Sequence, residues 1–242
     1  MTNRHPEALF AELDEKVWSQ LPVGIRRPEG RLSDPNFFPG GSGYIQAEDW
    51  SDLQTSDQAI PLANDITRRD FLVVGHFQAN IHAYAEERRS PGSQFRRTWT
   101  RLASLLEGSN PSDFFLTNAR LGLPVGDSTT GFPISAEHDR RCALVLAELI
   151  SILQPRVIIC LGPHAARILA AGQSDLEAWE DWPGFSALDE RGQRELHLGN
   201  GDTTAVVVRH PSAIPTTEEW EDDKQLVNRL IRADQLVGAS AR

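Results

Sequence analysis

The stretch Arg156-Val-Ile-Ile-Cys-Leu-Gly162 is the clearest of four short apolar runs that end in glycine or polar residues. A strand covered on both faces reads as nearly continuous Val, Ile, Leu and Phe, without polar alternation. Helical patterns separate the four runs, so the sequence predicts a parallel sheet. The other three runs are Phe71-Leu-Val-Val-Gly75, Phe114-Phe-Leu-Thr-Asn118 and Ala205-Val-Val-Val-Arg-His210.

This order of elements predicts an α/β fold with three α/β/α layers around a central, four-stranded, mainly parallel sheet. At 242 residues the chain is long enough for a full hydrophobic core. We expect a single domain over residues 1–242, with a cover helix and an irregular segment in 1–66 and the core in 67–237. A capped helix is predicted over residues 135–153, residues 173–189 are predicted to be irregular, and a hairpin at Gly199-Asn-Gly201 should deliver the fourth strand.

Charge and cysteine content narrow the possible functions. A formal net charge of −10 argues against broad, sequence-blind nucleic-acid affinity, which rests on an excess of Lys and Arg. The first residues lack the apolar core of a signal peptide, and no apolar stretch approaches the roughly 18 residues of a membrane span, so we expect a cytoplasmic protein without membrane contact. Cys142 and Cys160 lie inside apolar runs, and no metal-ligand spacing is present; no metal, iron-sulfur cluster or other cofactor is expected.

Polar residues follow each of the four apolar runs. In open parallel sheets, ligands bind beyond the carboxyl ends of the strands. The sequence therefore predicts a functional site at these four tips, which are Gly75-His-Phe-Gln-Ala-Asn80, Asn118-Ala-Arg120, Gly162-Pro-His164 and His210-Pro-Ser212.

The order of these tips resembles the uracil-DNA glycosylase superfamily. In that family a Gly-led loop follows the first strand, an Asn ends the second, Leu-Gly ends the third and His-Pro-Ser follows the fourth. The resemblance covers roughly residues 68–235. It implies a monofunctional DNA N-glycosylase, an enzyme that hydrolyses the bond between deoxyribose and a flipped-out uracil-like or modified pyrimidine base, in repair or in defence against phage.

The first loop departs from the family pattern. Relatives carry an Asp, Asn or Glu there that positions or activates water, whereas this sequence continues from Gly75 with His76, Phe77, Gln78 and Ala79. The cysteines that hold an iron-sulfur cluster in one branch of the family are also absent. The missing carboxylate leaves open a catalytically inactive module of the same fold that binds a nucleobase or DNA. A third alternative is an interaction protein that recruits a partner through its acidic C-terminal helix and residues 173–189.

The resemblance also implies roles for individual residues. His210 would donate a hydrogen bond to the departing base, and His76 would orient or deprotonate the attacking water. Asn118 would pair with a pyrimidine edge and Phe95 would stack on the base. Gln78 or Asn80 could orient the water instead of His76. The plainer alternatives are a core position for Phe95, a turn-closing amide for Asn118 and an ordinary strand-end imidazole for His210. The expected base contacts are Asn118, Phe95, Phe77, Gln78 and Asn80.

DNA, single- or double-stranded, is the expected partner of a monomeric protein. Five arginines flank the first loop and another follows Asn118, while the rest of the chain is acidic, so the charge is polarised. Solvated helix faces are the plainer explanation for such arginines, and a capping or packing role is the plainer one for His164. The loop-flanking arginines are Arg88, Arg89, Arg96, Arg97 and Arg101; the expected DNA contacts are Ser212, Arg120, Arg96, Arg97 and His164.

Overall fold

The computed structural model describes residues 13–26, 70–77, 96–107, 113–125, 135–199, 201–213 and 215–240. The helices are α1 (Arg96–Leu105), α2 (Ala136–Leu153), α3 (Pro163–Ala170), α4 (Phe185–Glu190) and α5 (Thr217–Ser240), with shorter helical turns at Leu13–Val17, Trp18–Gln20 and Ser174–Trp179. The strands are β1 (Ile25–Arg26), β2 (Phe71–Phe77), β3 (Phe114–Arg120), β4 (Leu123–Pro124), β5 (Val157–Leu161), β6 (Glu195–Leu198) and β7 (Thr203–Val208).

Among the described residues, the central sheet has five strands in the order β3-β2-β5-β7-β6. Strands β3, β2, β5 and β7 are parallel to one another, which confirms the four predicted parallel strands. The edge strand β6 runs antiparallel to β7. It is the first arm of the predicted hairpin, so the sheet is one strand wider than expected. Strands β1 and β4 form a separate antiparallel pair.

Alternate residues of each buried strand enter two different hydrophobic clusters. Leu72 and Val74 pack in a cluster that contains buried residues of α2 and α3. Phe71 and Val73 pack in a second cluster, with residues of α1 and α5. Burial of both faces explains why the strands carry no polar alternation, and it confirms the three-layer α/β/α architecture.

Two sequence predictions about helices have different outcomes. Helix α2 lies where it was expected, and the Ser135 hydroxyl accepts a hydrogen bond from the His138 backbone N–H at 3.2 Å as its N-cap. The prediction that residues 173–189 are irregular is wrong, because the segment contains the turn Ser174–Trp179 and most of α4. Burial of Leu176, Trp179 and Leu188 against the first cluster stabilises these short helices, and local periodicity does not reveal it.

Within the described ranges, none of the helices combines the length and the apolar character needed to cross a membrane.

The centre of β5 provides a test of this packing. Ile159 is 0% exposed and pairs with Val73 and Val206 of the neighbouring strands. Ile159→Ala should lower the free energy of unfolding by about 2–5 kcal/mol, because the cavity it leaves is only partly refilled. Urea denaturation followed by circular dichroism measures the change. Leu144→Ala on α2, where Leu144 is 48% exposed, is the control and should change the free energy by less than about 0.5 kcal/mol. Equal losses in the two variants would contradict this account of the core.

Candidate active site

The carboxyl ends of the four parallel strands gather three histidines. His76 lies on β2, His164 is the second residue of α3, and His210 follows β7 by two residues. The rings of His76 and His164 are stacked, with centroids 4.1 Å apart and planes at 15°. His210 is close enough to His76 to affect its titration electrostatically. The topology therefore unites three of the four predicted tips around these imidazoles.

The fourth tip joins the site through Gly75. Gly75 on β2 pairs with Asn118 on β3, and a Cβ atom at Gly75 would lie 2.4 Å from the Asn118 Oδ1 atom. Real Cβ atoms do not approach an oxygen that closely, so only glycine leaves room for the amide at this point. The missing side chain of Gly75 thus leaves the space that the Asn118 amide occupies beside the histidine-bearing end of β2.

Gly162 plays a similar part between β5 and the His210 loop. Its φ of +85° favours glycine, and a Cβ atom there would lie 3.2 Å from the His210 Cβ atom. The Gly162 backbone N–H donates to the Val208 carbonyl at 2.7 Å. The pairing of β5 with β7 therefore continues past the strand ends and fixes the backbone that carries His210.

The hydrogen bonds of His210 define its tautomer. The Ser212 backbone N–H donates to the His210 Nδ1 atom at 3.1 Å, and the Ser212 hydroxyl lies 2.6 Å from the same nitrogen. A backbone N–H can only donate, so Nδ1 is the acceptor nitrogen and the ring proton of the neutral imidazole resides on Nε2. Burial lowers the pKa of His210 to about 4. At neutral pH the residue is therefore an uncharged imidazole with an Nε2–H donor.

His76 is neutral for related reasons but has the opposite tautomer. Burial lowers the pKa of His76 to about 3, and His164, Arg120 and His210 act in the same direction. The Arg120 Nη1 atom donates to the His76 Nε2 atom at 3.0 Å, so the ring proton of His76 resides on Nδ1. The lone pair that a base at Nε2 would use is already engaged.

Arg120 is held in place by Asp139 of α2. Its Nε and Nη2 atoms donate to the two carboxylate oxygens of Asp139 at 2.7 and 2.8 Å, a bidentate pair. The third guanidinium nitrogen of Arg120 bonds to His76, so all three nitrogens of the guanidinium have partners within the protein. Contact between Arg120 and DNA stays a prediction; within the structure the hydrogen bonds of Arg120 go to Asp139 and His76.

Two groups hold the loop that carries His210. Arg101 of α1 donates from Nη1 to the Pro211 carbonyl at 2.8 Å and to the Ala213 carbonyl. On the other side, the buried Asp223 carboxylate of α5 accepts from the Arg209 backbone N–H at 2.9 Å. Within the loop, the Ala213 backbone N–H donates to the His210 carbonyl at 2.8 Å. The loop is therefore a closed turn fixed at both ends.

The remaining predicted site residues are only partly described. Ser212 is exposed beside the His210 ring, and His164 is also exposed at the start of α3. Burial lowers the pKa of His164, with Arg120 and Arg167 acting in the same direction. Phe95, Gln78 and Asn80 lie outside the described residues, as do the side chains of Phe77, Arg96 and Arg97.

Sequence reasoning missed Asp139, Asp223 and the role of Arg101. Asp139 is 19 residues from Arg120, and Arg101 is 110 residues from Pro211. A single sequence carries no signal for pairs at such separations. The position of Asp139 in the first turn of α2 indicates only a favourable interaction with the helix dipole.

The described residues contain no group of three or more His, Cys, Asp or Glu side chains placed to hold a metal ion. Cys142 and Cys160 are free and buried. Burial raises the pKa of the Cys142 thiol to about 12 and raises that of Cys160 as well, so neither is a thiolate at neutral pH.

Comparison with known proteins adds a family assignment to this geometry. The model of the "Uracil DNA glycosylase superfamily" matches residues 74–232, about two thirds of the chain. The matched range begins one residue before Gly75 and includes the tips that carry His76, Asn118, His164 and His210. A search of curated proteins found no significant match.

The neutral histidines predict an acid-sensitive fold. The pKa values of His76, His138, His164 and His210 are all lowered, mainly by burial, so below about pH 6.5 the unfolded chain binds protons that the folded protein does not. The contribution of these neutral histidines to the free energy of unfolding should therefore be complete above that pH and be lost as the pH falls towards 4. Thermal unfolding measured from pH 7.5 to 4.5 reports the loss.

A variant with His76→Gln and His210→Gln removes two of these groups and should have a flatter dependence of Tm on pH than the unmodified protein. His197→Gln is the control, since His197 is exposed on β6. The same slope in the double variant and in the unmodified protein would show that these two partly buried imidazoles do not cause the acid sensitivity.

Proposed function

Because the chain belongs to the uracil-DNA glycosylase superfamily, whose members are generally hydrolytic DNA glycosylases, we propose that it hydrolyses the N-glycosidic bond of a uracil-like or modified pyrimidine in DNA. The single observation that best supports this is the neutral His210 with its proton on Nε2. The target bond is unreachable in a stacked duplex, so the nucleotide would be flipped into the site.

His210 would act on the leaving base. As the bond between the sugar carbon and the base nitrogen breaks, its electron pair moves to the base, and negative charge develops on a base carbonyl oxygen. A fixed donor aimed at that oxygen lowers the barrier, and removal of single donors of this kind costs about 2.7–4 kcal/mol. An uncharged Nε2–H supplies the hydrogen bond without transferring its proton. The base leaves as an anion, water bonds to the sugar carbon, and the proton that the water loses passes to solvent, which balances the charge of the departed base.

Asn118 would select the base. Its amide offers both a donor and an acceptor, which match a pyrimidine edge. The absence of a side chain at Gly75 supports this role, because it leaves space for the amide beside the end of β2.

His76 occupies the place of the usual water-handling residue. Its pKa of about 3 and the Arg120 hydrogen bond at Nε2 argue for orientation of water, and against general-base catalysis at neutral pH. Hydrolysis at a sugar carbon passes through a transition state with oxocarbenium character, and its developing positive charge attracts a well-placed water.

The hydrogen bond from Arg120 to the His76 Nε2 atom also favours the second candidate, a catalytically inactive module that binds a nucleobase or DNA. Such a module would bind DNA with strong salt dependence and release no base. The experiments below separate the two candidates.

Base release is the direct test. Single-turnover reactions with single- and double-stranded oligonucleotides that carry uracil, other deaminated bases or bulky modified pyrimidines should release one class of base. His210→Ala should slow that release about 10²–10³-fold, because it removes one charge-stabilising donor. Arg140→Ala is the control, since the Arg140 side chain is 67% exposed on α2 and pairs with Glu137. No release from any substrate, or equal rates in the His210 variant and the control, would reject the proposal.

The two roles considered for His76 predict different kinetics. If His76 orients water, His76→Gln should retain most of the activity, because a Gln carbonyl also accepts from Arg120. General bases contribute about 10²–10⁴-fold. The rates of His76→Gln and His76→Ala are measured together. A loss of that size in His76→Gln would contradict water orientation and favour general-base catalysis by His76.

A further inference from the structure

A continuous line of contacts joins Arg101 to the ring of His210. The Arg101 guanidinium donates to the Pro211 carbonyl at 2.8 Å. The nitrogen of that same peptide unit belongs to Ser212, and its N–H donates to the His210 Nδ1 atom at 3.1 Å. The cation therefore lies at one end of a peptide unit and the imidazole lies at the other.

The two ends of a peptide unit are electronically linked. Resonance gives the C–N bond partial double-bond character, so density drawn towards the oxygen is drawn from the nitrogen. A hydrogen bond from a cation to the carbonyl is stronger than a neutral one, and hydrogen bonds in a chain polarise one another. Arg101 thus makes the Ser212 N–H a better donor to the His210 Nδ1 atom.

We propose that Arg101 is a positioning residue that holds His210 in its Nε2–H form through the Pro211–Ser212 peptide. The second hydrogen bond of Arg101, to the Ala213 carbonyl, fixes the guanidinium across the turn that the Ala213 N–H closes onto the His210 carbonyl. Arg101 lies on α1 and does not need to contact DNA for this role.

The catalytic consequence rests on the proposed function. A ring locked with its proton on Nε2 always presents a donor to the base, whereas a ring with its proton on Nδ1 presents a lone pair and repels the developing negative charge. Loss of Arg101 would therefore lower the rate of the chemical step more than the affinity for DNA.

Nitrogen-15 NMR of the free, histidine-labelled protein tests the proposal without substrate. The unmodified protein should show His210 with an acceptor-type Nδ1 and a protonated Nε2. Arg101→Gln should move the Nδ1 resonance towards the protonated type, and Arg101→Lys, which keeps the charge but loses the fork geometry, should move it less. Arg140→Ala should leave both resonances unchanged.

Single-turnover kinetics provide the second readout. Loss of outer hydrogen-bond partners of functional histidines at metal sites lowers affinity or activity about 10–100-fold, and we expect Arg101→Gln to slow base release about tenfold with little change in KM. An unchanged His210 tautomer in a folded Arg101→Gln protein would overturn the proposal. If that variant does not fold, an unchanged Nδ1 resonance in Arg101→Lys has the same meaning.

The two proposals fail separately. Absence of base release by the unmodified protein rejects glycosylase activity, but the NMR measurement still decides the role of Arg101. An unchanged tautomer rejects the role of Arg101 whether or not base is released.

Discussion

The buried carboxylate of Asp223 is the interaction on which the geometry of the site depends. Asp223 is 0% exposed, and it accepts from the Arg209 backbone N–H at 2.9 Å, from the Arg209 side chain at 3.0 Å and from Arg194. Removing one partner of a buried ion pair typically costs about 3–5 kcal/mol, because the other charge is left without compensation. Helix α5 is therefore tied to the end of β7, one residue before His210. The ring of Phe185 packs against both guanidinium groups, at 4.7 Å from Arg209 and 5.3 Å from Arg194, and connects α4 to the same cluster.

The site combines the uncharged imidazoles of His76 and His210 with one cation, Arg120, whose charge is paired with that of Asp139. Arg120 is paired with Asp139, so its positive charge polarises His76 without creating an unpaired buried ion. His76 and His210 are both neutral, yet their hydrogen bonds place the ring proton on opposite nitrogens. The surroundings of each ring, rather than the residue type, thus decide whether a histidine can donate or accept at a given atom.

Much of the fold could be predicted from the sequence because strands buried on both faces have an unmistakable composition. The positions of Asn118 and His210 followed from the rule that functional residues cluster at the carboxyl ends of such strands. The charged side chains that pair with the residues of the site could not be predicted from the sequence. The sequence shows the charge of Arg120, which favours contact with DNA, but it does not show the Asp139 side chain with which Arg120 pairs. Residues 173–189 were interpreted as irregular because their helices are stabilised by Trp179 and Leu188 in a distant core.

The two crowded glycines have a consequence for how this architecture can diversify. A methyl group added at Gly75 would lie 2.4 Å from the Asn118 Oδ1 atom, and one added at Gly162 would lie 3.2 Å from the His210 Cβ atom. Substitution at either glycine therefore requires the residue opposite to shift. Under the proposed function, changes in substrate preference would meet less steric resistance at positions other than these two glycines. Positions that resist substitution and positions that tolerate it would then be separate within one chain.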